Sequence, residues 1–207
     1  ISKINEINKK ALKINNSFIK RYSEIVISII ILFFSTPILF ISSFAIFLED
    51  KKGFIFSQLR GGFKGKPIRI YKLRTMSLCN NENVEKWAEK NDIRITKVGK
   101  ILRLLRIDEI PQLYSVIRGE MSLIGPRPEQ LGIEKCLIEK LDNYKIRQLI
   151  KPGLTGWAQI KYRYGSSVND SRNKLICDFY YIKNYSLKLD IEIFFKTILV
   201  VFMAKGR

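Results

Sequence analysis

Residues 103–128, RLLRIDEIPQLYSVIRGEMSLIGPRP, set Asp108 and Glu109 side by side among Arg103, Arg106, Arg118 and Arg127. The chain contains no histidine, so a general base, nucleophile or metal ligand must come mainly from carboxylates, with three cysteines, hydroxyls and lysines as the remaining choices. A carboxylate pair framed by guanidinium groups suits chemistry on a phosphorylated substrate. The arginines can bind phosphate oxygens in pairs, and the acids can hold a divalent cation or attack phosphorus. An isolated Asp-Glu pair of this kind is also compatible with a plain ion-paired helix junction.

The elements around the pair follow from local pattern. Val98, Ile101, Leu102 and Leu105 recur at helical spacing after Thr96, which predicts a helix over 97–106. A second helix is expected over 109–118, with Pro111 tolerated in its first turn and Asp108 near its N-cap. Gly125-Pro126-Arg127-Pro128 is a stiff, non-helical segment that presents one guanidinium. Short strands at 54–56 and 68–71, joined by the Gly-rich turn 61–67, predict a hairpin with Lys72 and Arg74 just past its second strand. Residues 78–92 read as a polar loop with a short helix, 133–149 as a charged helix and 151–157 as a loop. Trp157, Tyr162 and Tyr164 could stack a base or pack in the core.

Residues 25–48 carry no charge across 24 positions. At ~1.5 Å per residue such a helix reaches across a hydrocarbon layer of ~30 Å. Basic clusters lie on both sides, Lys9, Lys10, Lys13, Lys20 and Arg21 before and Lys51, Lys52, Arg60, Lys64 and Lys66 after. A single crossing would put one cluster on the wrong face. Ser35-Thr36-Pro37 lies midway, where proline removes a helical bond and hydroxyls can satisfy freed carbonyls. The pattern favours a re-entrant helix broken there over an ordinary kinked span. Three regions follow: 1–24 as a basic helix on the membrane surface, 25–48 as the re-entrant helix, and 49–207 as a catalytic domain on the cytosolic face. The apolar segment 191–204 is too short to cross and reads as a buried or interfacial helix. The fold class expected is α/β, mainly helical with a small β-hairpin.

The charge balance of 37 Lys+Arg against 19 Asp+Glu, +18 over 207 residues, calls for an anionic partner. Nucleic acid, acidic lipid and phosphorylated small molecules all satisfy the sum. Arginines clustered around acids, rather than an acid-free basic face, argue against a nucleic-acid surface and against a membrane-anchored binding module without catalysis. Cys79, Cys136 and Cys177 are widely spaced and read as reduced thiols.

The order of motifs is specific. After the Pro-broken helix come Gln58-x-Arg60, Tyr71-Lys72-Leu73-Arg74-Thr75-Met76, Ile107-Asp108-Glu109-Ile110-Pro111-Gln112-Leu113, Arg118-Gly119-Glu120-Met121-Ser122-Leu123-Ile124-Gly125-Pro126-Arg127-Pro128, and Lys151-Pro152-Gly153-Leu154-Thr155-Gly156-Trp157-Ala158-Gln159. From about Arg21 onward the chain resembles the bacterial sugar transferases, monotopic polyprenyl-phosphate phosphoglycosyl transferases. The resemblance implies transfer of a sugar-1-phosphate from a UDP-sugar to polyprenyl phosphate at the cytoplasmic face of the bacterial inner membrane, with release of UMP. It implies Asp108 as nucleophile, Glu109 assisting with Mg²⁺ and orientation, and a re-entrant broken helix. Metal ligands would come from Asp108, Glu109 and Glu120. Glu120 stands where the family usually has aspartate, which lengthens its reach by one methylene. Substrate phosphates would meet Lys72, Arg74, Arg103, Arg127 and the Pro128 loop, with Arg103 assigned to the lipid phosphate and Arg127 to the nucleotide. The partners expected are the donor, the acceptor and membrane lipids, with no nucleic acid and a homodimer left open. The segment 161–184 looks most like the larger subgroup, whose members carry transmembrane helices ahead of this part, so a catalytic portion of a longer protein or a separately encoded one is expected.

Overall fold

The computed structural model describes residues 2–77, 92–162 and 167–203. The predicted polar loop at 78–92 lies almost wholly outside these residues, as do Cys79 and Tyr164. The described chain is mostly helical with two small sheets.

The first helix, α1 (Ser2–Asn15), stops at a break before Ser17, whose hydroxyl caps the next helix by accepting from the Lys20 N–H at 3.3 Å. That next helix, α2 (Phe18–Asp50), runs without interruption through Pro37 and is long and apolar enough to cross a membrane. The Thr36 hydroxyl bonds Leu32 O at 2.9 Å, its own i−4 carbonyl, rather than the Phe33 carbonyl that Pro37 leaves without an N–H.

Which face of α2 is covered follows from residue type. Lys20, Glu24, Ser28, Ser42 and Ile46 are buried at helical spacing, while Phe33, Phe34, Phe40, Ile41 and Leu48 stand exposed. The helix therefore lies along the domain and turns its most apolar face outward. Both of its flanks are tied to that domain. At the start, Lys20 pairs with Asp190 at 2.8 Å, and Arg21 donates to the Val116 and Ile117 carbonyls at 2.6 and 2.8 Å. At the end, Glu49 accepts the Lys97 N–H at 2.8 Å and Asp50 holds Arg74 at 2.5 Å.

The predicted hairpin is present and longer than its apolar cores, with β1 (Ile55–Gly61) antiparallel to β2 (Pro67–Leu73) and Ser57 opposite Tyr71. Helix α3 (Lys97–Leu104) follows, capped by the Thr96 hydroxyl, which accepts from Gly99 N–H at 2.9 Å. It ends earlier than its apolar spacing predicts because Arg106 takes a left-handed conformation, φ 58°. The expected helix over 109–118 is divided. Residues Ile107–Gln112 form a 3-10 helix, and α4 (Leu113–Arg118) continues from it. Asp108 is thus in the first turn of a tight helix, and Arg106 stands at the N-cap position in its place. Beneath this turn Ile46, Leu73, Leu102 and Ile107 form one cluster, with Leu39 and Ile110 packed on it.

The segment 151–157 is not simply a loop. β3 (Ser122–Ile124) pairs in parallel with β4 (Gly153–Thr155), Ser122 opposite Gly153 and Ile124 opposite Thr155. A Cβ on Gly153 would lie 2.1 Å from the Gly125 nitrogen, so only glycine lets these backbones meet. The charged helix expected over 133–149 is also divided, into α5 (Leu131–Lys140) and a 3-10 helix at Tyr144–Leu149, by left-handed Asn143 at φ 60°. A short α6 (Trp157–Lys161) and α7 (Val168–Lys183) precede α8 (Leu187–Phe202). α8 buries Leu189 and Ile193 and exposes Leu187, Ile191, Phe195 and Leu199, every fourth residue. Trp157 stacks on Tyr180, ring centroids 5.3 Å apart, which favours packing over base stacking.

Candidate active site

Three segments distant in sequence converge on the acid pair. The end of β2 supplies Lys72, the 3-10 helix Ile107–Gln112 supplies both carboxylates, and the segment after β3 supplies Arg127. Glu109 takes almost all of the nearby positive charge. Its Oε1 meets Lys72 Nζ at 2.6 Å and also Arg127 Nη2, and its Oε2 meets Arg127 Nη1 at 3.3 Å and Arg106 Nη1 at 3.5 Å. Burial alone would push the Glu109 carboxyl up. Arg127, Lys72 and Arg106 outweigh that cost and hold it well below the usual carboxylate range.

Asp108 has the opposite environment. It is 6% exposed, and its carboxylate makes no hydrogen bond or ion pair with the described residues. Burial, then the neighbouring Glu109 charge, raises its pKa from 3.8 to about 6, against the weaker pull of Lys72, Arg103 and Arg106. At neutral pH it is still largely ionised. The site therefore holds one carboxylate locked in a cationic clamp and one buried carboxylate left unpaired among the described residues, two roles set by environment.

The clamp has its own supports. Arg147 donates to the Arg127 carbonyl at 2.7 Å, and Arg60 donates to the Pro128 carbonyl at 2.9 Å. Arg147 is itself nearly buried, beside Asp178 at 3.1 Å and donating to the Tyr144 hydroxyl. Removal from water pushes the Asp178 carboxyl up to about 6 in spite of that guanidinium. These guanidinium-to-carbonyl bonds fix the backbone from which Arg127 reaches Glu109.

The predicted site residues are only partly gathered. Lys72, Asp108, Glu109 and Arg127 meet. Arg103 lies on α3 with its Nε donating to Thr75 Oγ1 at 2.9 Å, near enough for its charge to act on Asp108. Arg74 is turned onto Asp50 and is 5% exposed, so its cation serves the junction with α2. Pro128 is buried and acts through its carbonyl. Arg118 points to Glu120 at 3.1 Å, away from the pair. Among the described residues no three His, Cys, Asp or Glu side chains come together, so Asp108, Glu109 and Glu120 form no metal cluster. Arg106 is one of the four arginines that frame the acids in the sequence, but its ion pair with Glu109 is not legible there, and Arg147 is not singled out by the sequence at all. The left-handed turn that aims Arg106 has no local signature without a glycine or asparagine, and nothing near Arg147 in the sequence marks its target.

Residues 15–204 match the family described as bacterial sugar transferase. The chain belongs to the bacterial sugar transferase family. Several proteins resemble this chain over most of its length. A UDP-N-acetylgalactosamine-undecaprenyl-phosphate N-acetylgalactosaminephosphotransferase of Aeromonas hydrophila is 40% identical over 190 residues, covering 92% of this chain and 45% of the relative. A UDP-glucose:undecaprenyl-phosphate glucose-1-phosphate transferase of Klebsiella pneumoniae is 38% identical, covering 92% and 42%. The exopolysaccharide production protein PSS of Rhizobium leguminosarum bv. phaseoli is 36% identical, covering 87% and 93%. The chain thus spans less than half the length of the first two of these sugar transferases.

The division of charge predicts the behaviour of Glu109→Gln. Lys72 and Arg127 lose a buried ionised partner, which costs about 3 kcal/mol of stability. The freed cations then act on Asp108, so the acid limb of its titration moves below about 6 while turnover falls. Thermal unfolding and a pH profile of nucleotide release check both effects. An unchanged acid limb would contradict the shared clamp.

Proposed function

We propose that this chain transfers a sugar-1-phosphate from a UDP-sugar to a polyprenyl phosphate at the membrane surface, with Asp108 as nucleophile. The observation that carries the proposal is the largely ionised Asp108, unpaired among the described residues, beside a Glu109 that has absorbed the cations. The names of the relatives support the donor and acceptor classes, and they differ in the sugar.

An Asp108 carboxylate oxygen attacks the β-phosphorus, which bears the sugar. The new O–P bond forms as the bond to the bridging oxygen breaks, and UMP leaves with that electron pair. The product is an acyl phosphate, reactive enough to be passed on. An oxygen of the polyprenyl phosphate then attacks the same phosphorus and returns the aspartate as its carboxylate. No proton transfer is required, so the absence of histidine is no obstacle. Arg103 and Arg106 flank the reacting carboxylate with positive charge, and Lys72 and Arg127 are held on Glu109 at the floor of the site. The residues fit Mg²⁺ in a limited way, because among the described residues Asp108 is the acid with free oxygens, while both Glu109 oxygens are taken by cations. Bound Mg²⁺ would neutralise the diphosphate, held by Asp108 and substrate oxygens, which suits an ion that usually takes one or two carboxylates with phosphates.

The membrane reading rests on α2. Its outward face is apolar over most of its length, and polar contacts tie both ends to one domain. Ser35-Thr36-Pro37 does not interrupt the helix, so entry into one leaflet with both basic flanks on the cytoplasmic side would need a bend at Pro37 within a continuous helix, with the exposed stripe of α8 at the interface.

Asp108→Asn is expected to abolish UMP release. It is also expected to stabilise the protein at pH 7.5 by about 3 kcal/mol or less, since ionising a group raised from 3.8 to about 6 costs stability as pH climbs through that window. Unfolding scans and a UMP assay over a panel of UDP-sugars test this; turnover near the unmodified level would refute the assignment. In sealed vesicles, cysteines placed at Lys10 and Lys52 should both react with an impermeant label from the cytoplasmic face. Opposite-side labelling would mean a full crossing.

A further inference from the structure

An open groove of about 720 Å³ runs along the outer side of α2, within the ~300–1,000 Å³ of small-molecule sites. Its lining is almost entirely apolar, with Leu32, Leu39, Phe40 and Phe47 from α2 and Phe54 and Ile117 from outside it. The two walls away from α2 are fixed to the domain. The Ile117 carbonyl accepts from Arg21 at 2.8 Å, and the Phe54 carbonyl accepts the Arg74 N–H at 2.8 Å. The groove is therefore preformed.

One residue joins it to the chemistry. Leu39 lines the groove and also packs on the cluster of Ile46, Leu73, Leu102 and Ile107, with Ile110 beside it. Ile107 and Ile110 bracket the acid pair on the 3-10 helix. An apolar channel thus shares a wall with the turn that carries Asp108.

We propose that this groove holds the hydrocarbon chain of the acceptor lipid and so delivers its phosphate to Asp108. This rests on the acceptor assignment made above and adds a binding subsite to it. An acceptor with a phosphomonoester at one end and a long branched chain at the other must present the first to a buried carboxylate while the second stays out of water. A groove contiguous with that carboxylate's own supporting cluster, and opening on the lipid-facing side of the helix, meets both needs. Phospholipid acyl chains and a second copy of the protein are the competing occupants.

The test compares a long-chain polyprenyl phosphate with a water-soluble prenyl phosphate of two isoprene units, in detergent micelles. Ser43 lines the groove and Ile41, 66% exposed, does not. Ser43→Trp fills the groove and should cut the preference for the long acceptor about tenfold, the loss of roughly 1.4 kcal/mol of chain contact. Ile41→Trp places the same indole on the outer face and should leave the preference intact. Equal effects of the two variants, or a preserved preference in Ser43→Trp, would overturn the proposal. A shift from dimer to monomer in Ser43→Trp with acceptor preference unchanged would assign the groove to a second copy instead. A benzophenone-bearing prenyl phosphate provides a readout in the unmodified protein. It should label α2 or the Phe54 peptide and be displaced by polyprenyl phosphate and not by phosphatidylglycerol; displacement by both equally would mean ordinary lipid fills the groove. Sugar-phosphate adduct formation from donor alone is measured in parallel. Its absence would refute the nucleophile assignment, whereas its presence with no acceptor labelling would refute the groove alone.

Discussion

Two carboxylates on adjacent residues, both withdrawn from water, repel each other and pay for lost hydration, so they persist as charges only if cations compensate them. Here the compensation is unequal. Glu109 is met by Lys72, Arg127 and Arg106, whereas among the described residues Asp108 has only charges at longer range. Glu109 sinks below the ordinary carboxylate range and Asp108 rises. A symmetric clamp would have stabilised both acids and left neither reactive. The asymmetry leaves an anion that is poorly solvated and, among the described residues, unpartnered, the condition in which a weak nucleophile such as a carboxylate is most useful.

Much of the remaining architecture maintains that inequality. Arg127 can reach Glu109 only if its backbone is held still, and Arg147 and Arg60 hold the carbonyls on either side of that step. The backbone is placed in turn by the glycine contact between Gly125 and Gly153, which lets β3 and β4 lie closer than side chains allow. Lys72 arrives from the other direction on β2, whose last residue, Leu73, packs with Ile46 of α2. The acids at the end of α2 complete the frame, Glu49 capping α3 and Asp50 holding Arg74. The apolar helix and the acid pair are thus one mechanical unit, and under the proposed function a lipid-anchored acceptor would reach Asp108 without the domain leaving the surface.

The sequence made some of this legible and hid the rest for physical reasons. The charge-free run 25–48, the hairpin and the paired acids declare themselves through local pattern. The parallel pair β3–β4 does not, since strands of three residues are too short to show alternation and Gly125 and Gly153 look like turn residues until they are seen in contact. Arg106 in a left-handed turn ends α3 early and moves Asp108 off the expected cap, an outcome that spacing of apolar residues cannot foresee. Equally, four arginines lie near the acids in sequence, and not all of them become partners. Arg118 turns to Glu120, while Lys72, over thirty residues upstream, joins Glu109. Which cation serves which acid is a tertiary fact. Arg74 illustrates the same point, matched by motif to substrate binding and placed by the fold against Asp50.

The central claim is that Asp108, the acid outside the cationic clamp, forms a covalent bond to phosphorus. Incubating the protein with a UDP-sugar and Mg²⁺ in the absence of acceptor, then quenching in acid and measuring intact mass, tests it most directly. The account predicts a mass increase equal to one sugar-phosphate group, located on the peptide bearing Asp108 and lost when polyprenyl phosphate is added. An unmodified mass under conditions in which the same preparation yields lipid-linked sugar, or an adduct mapped to a different residue, would contradict it.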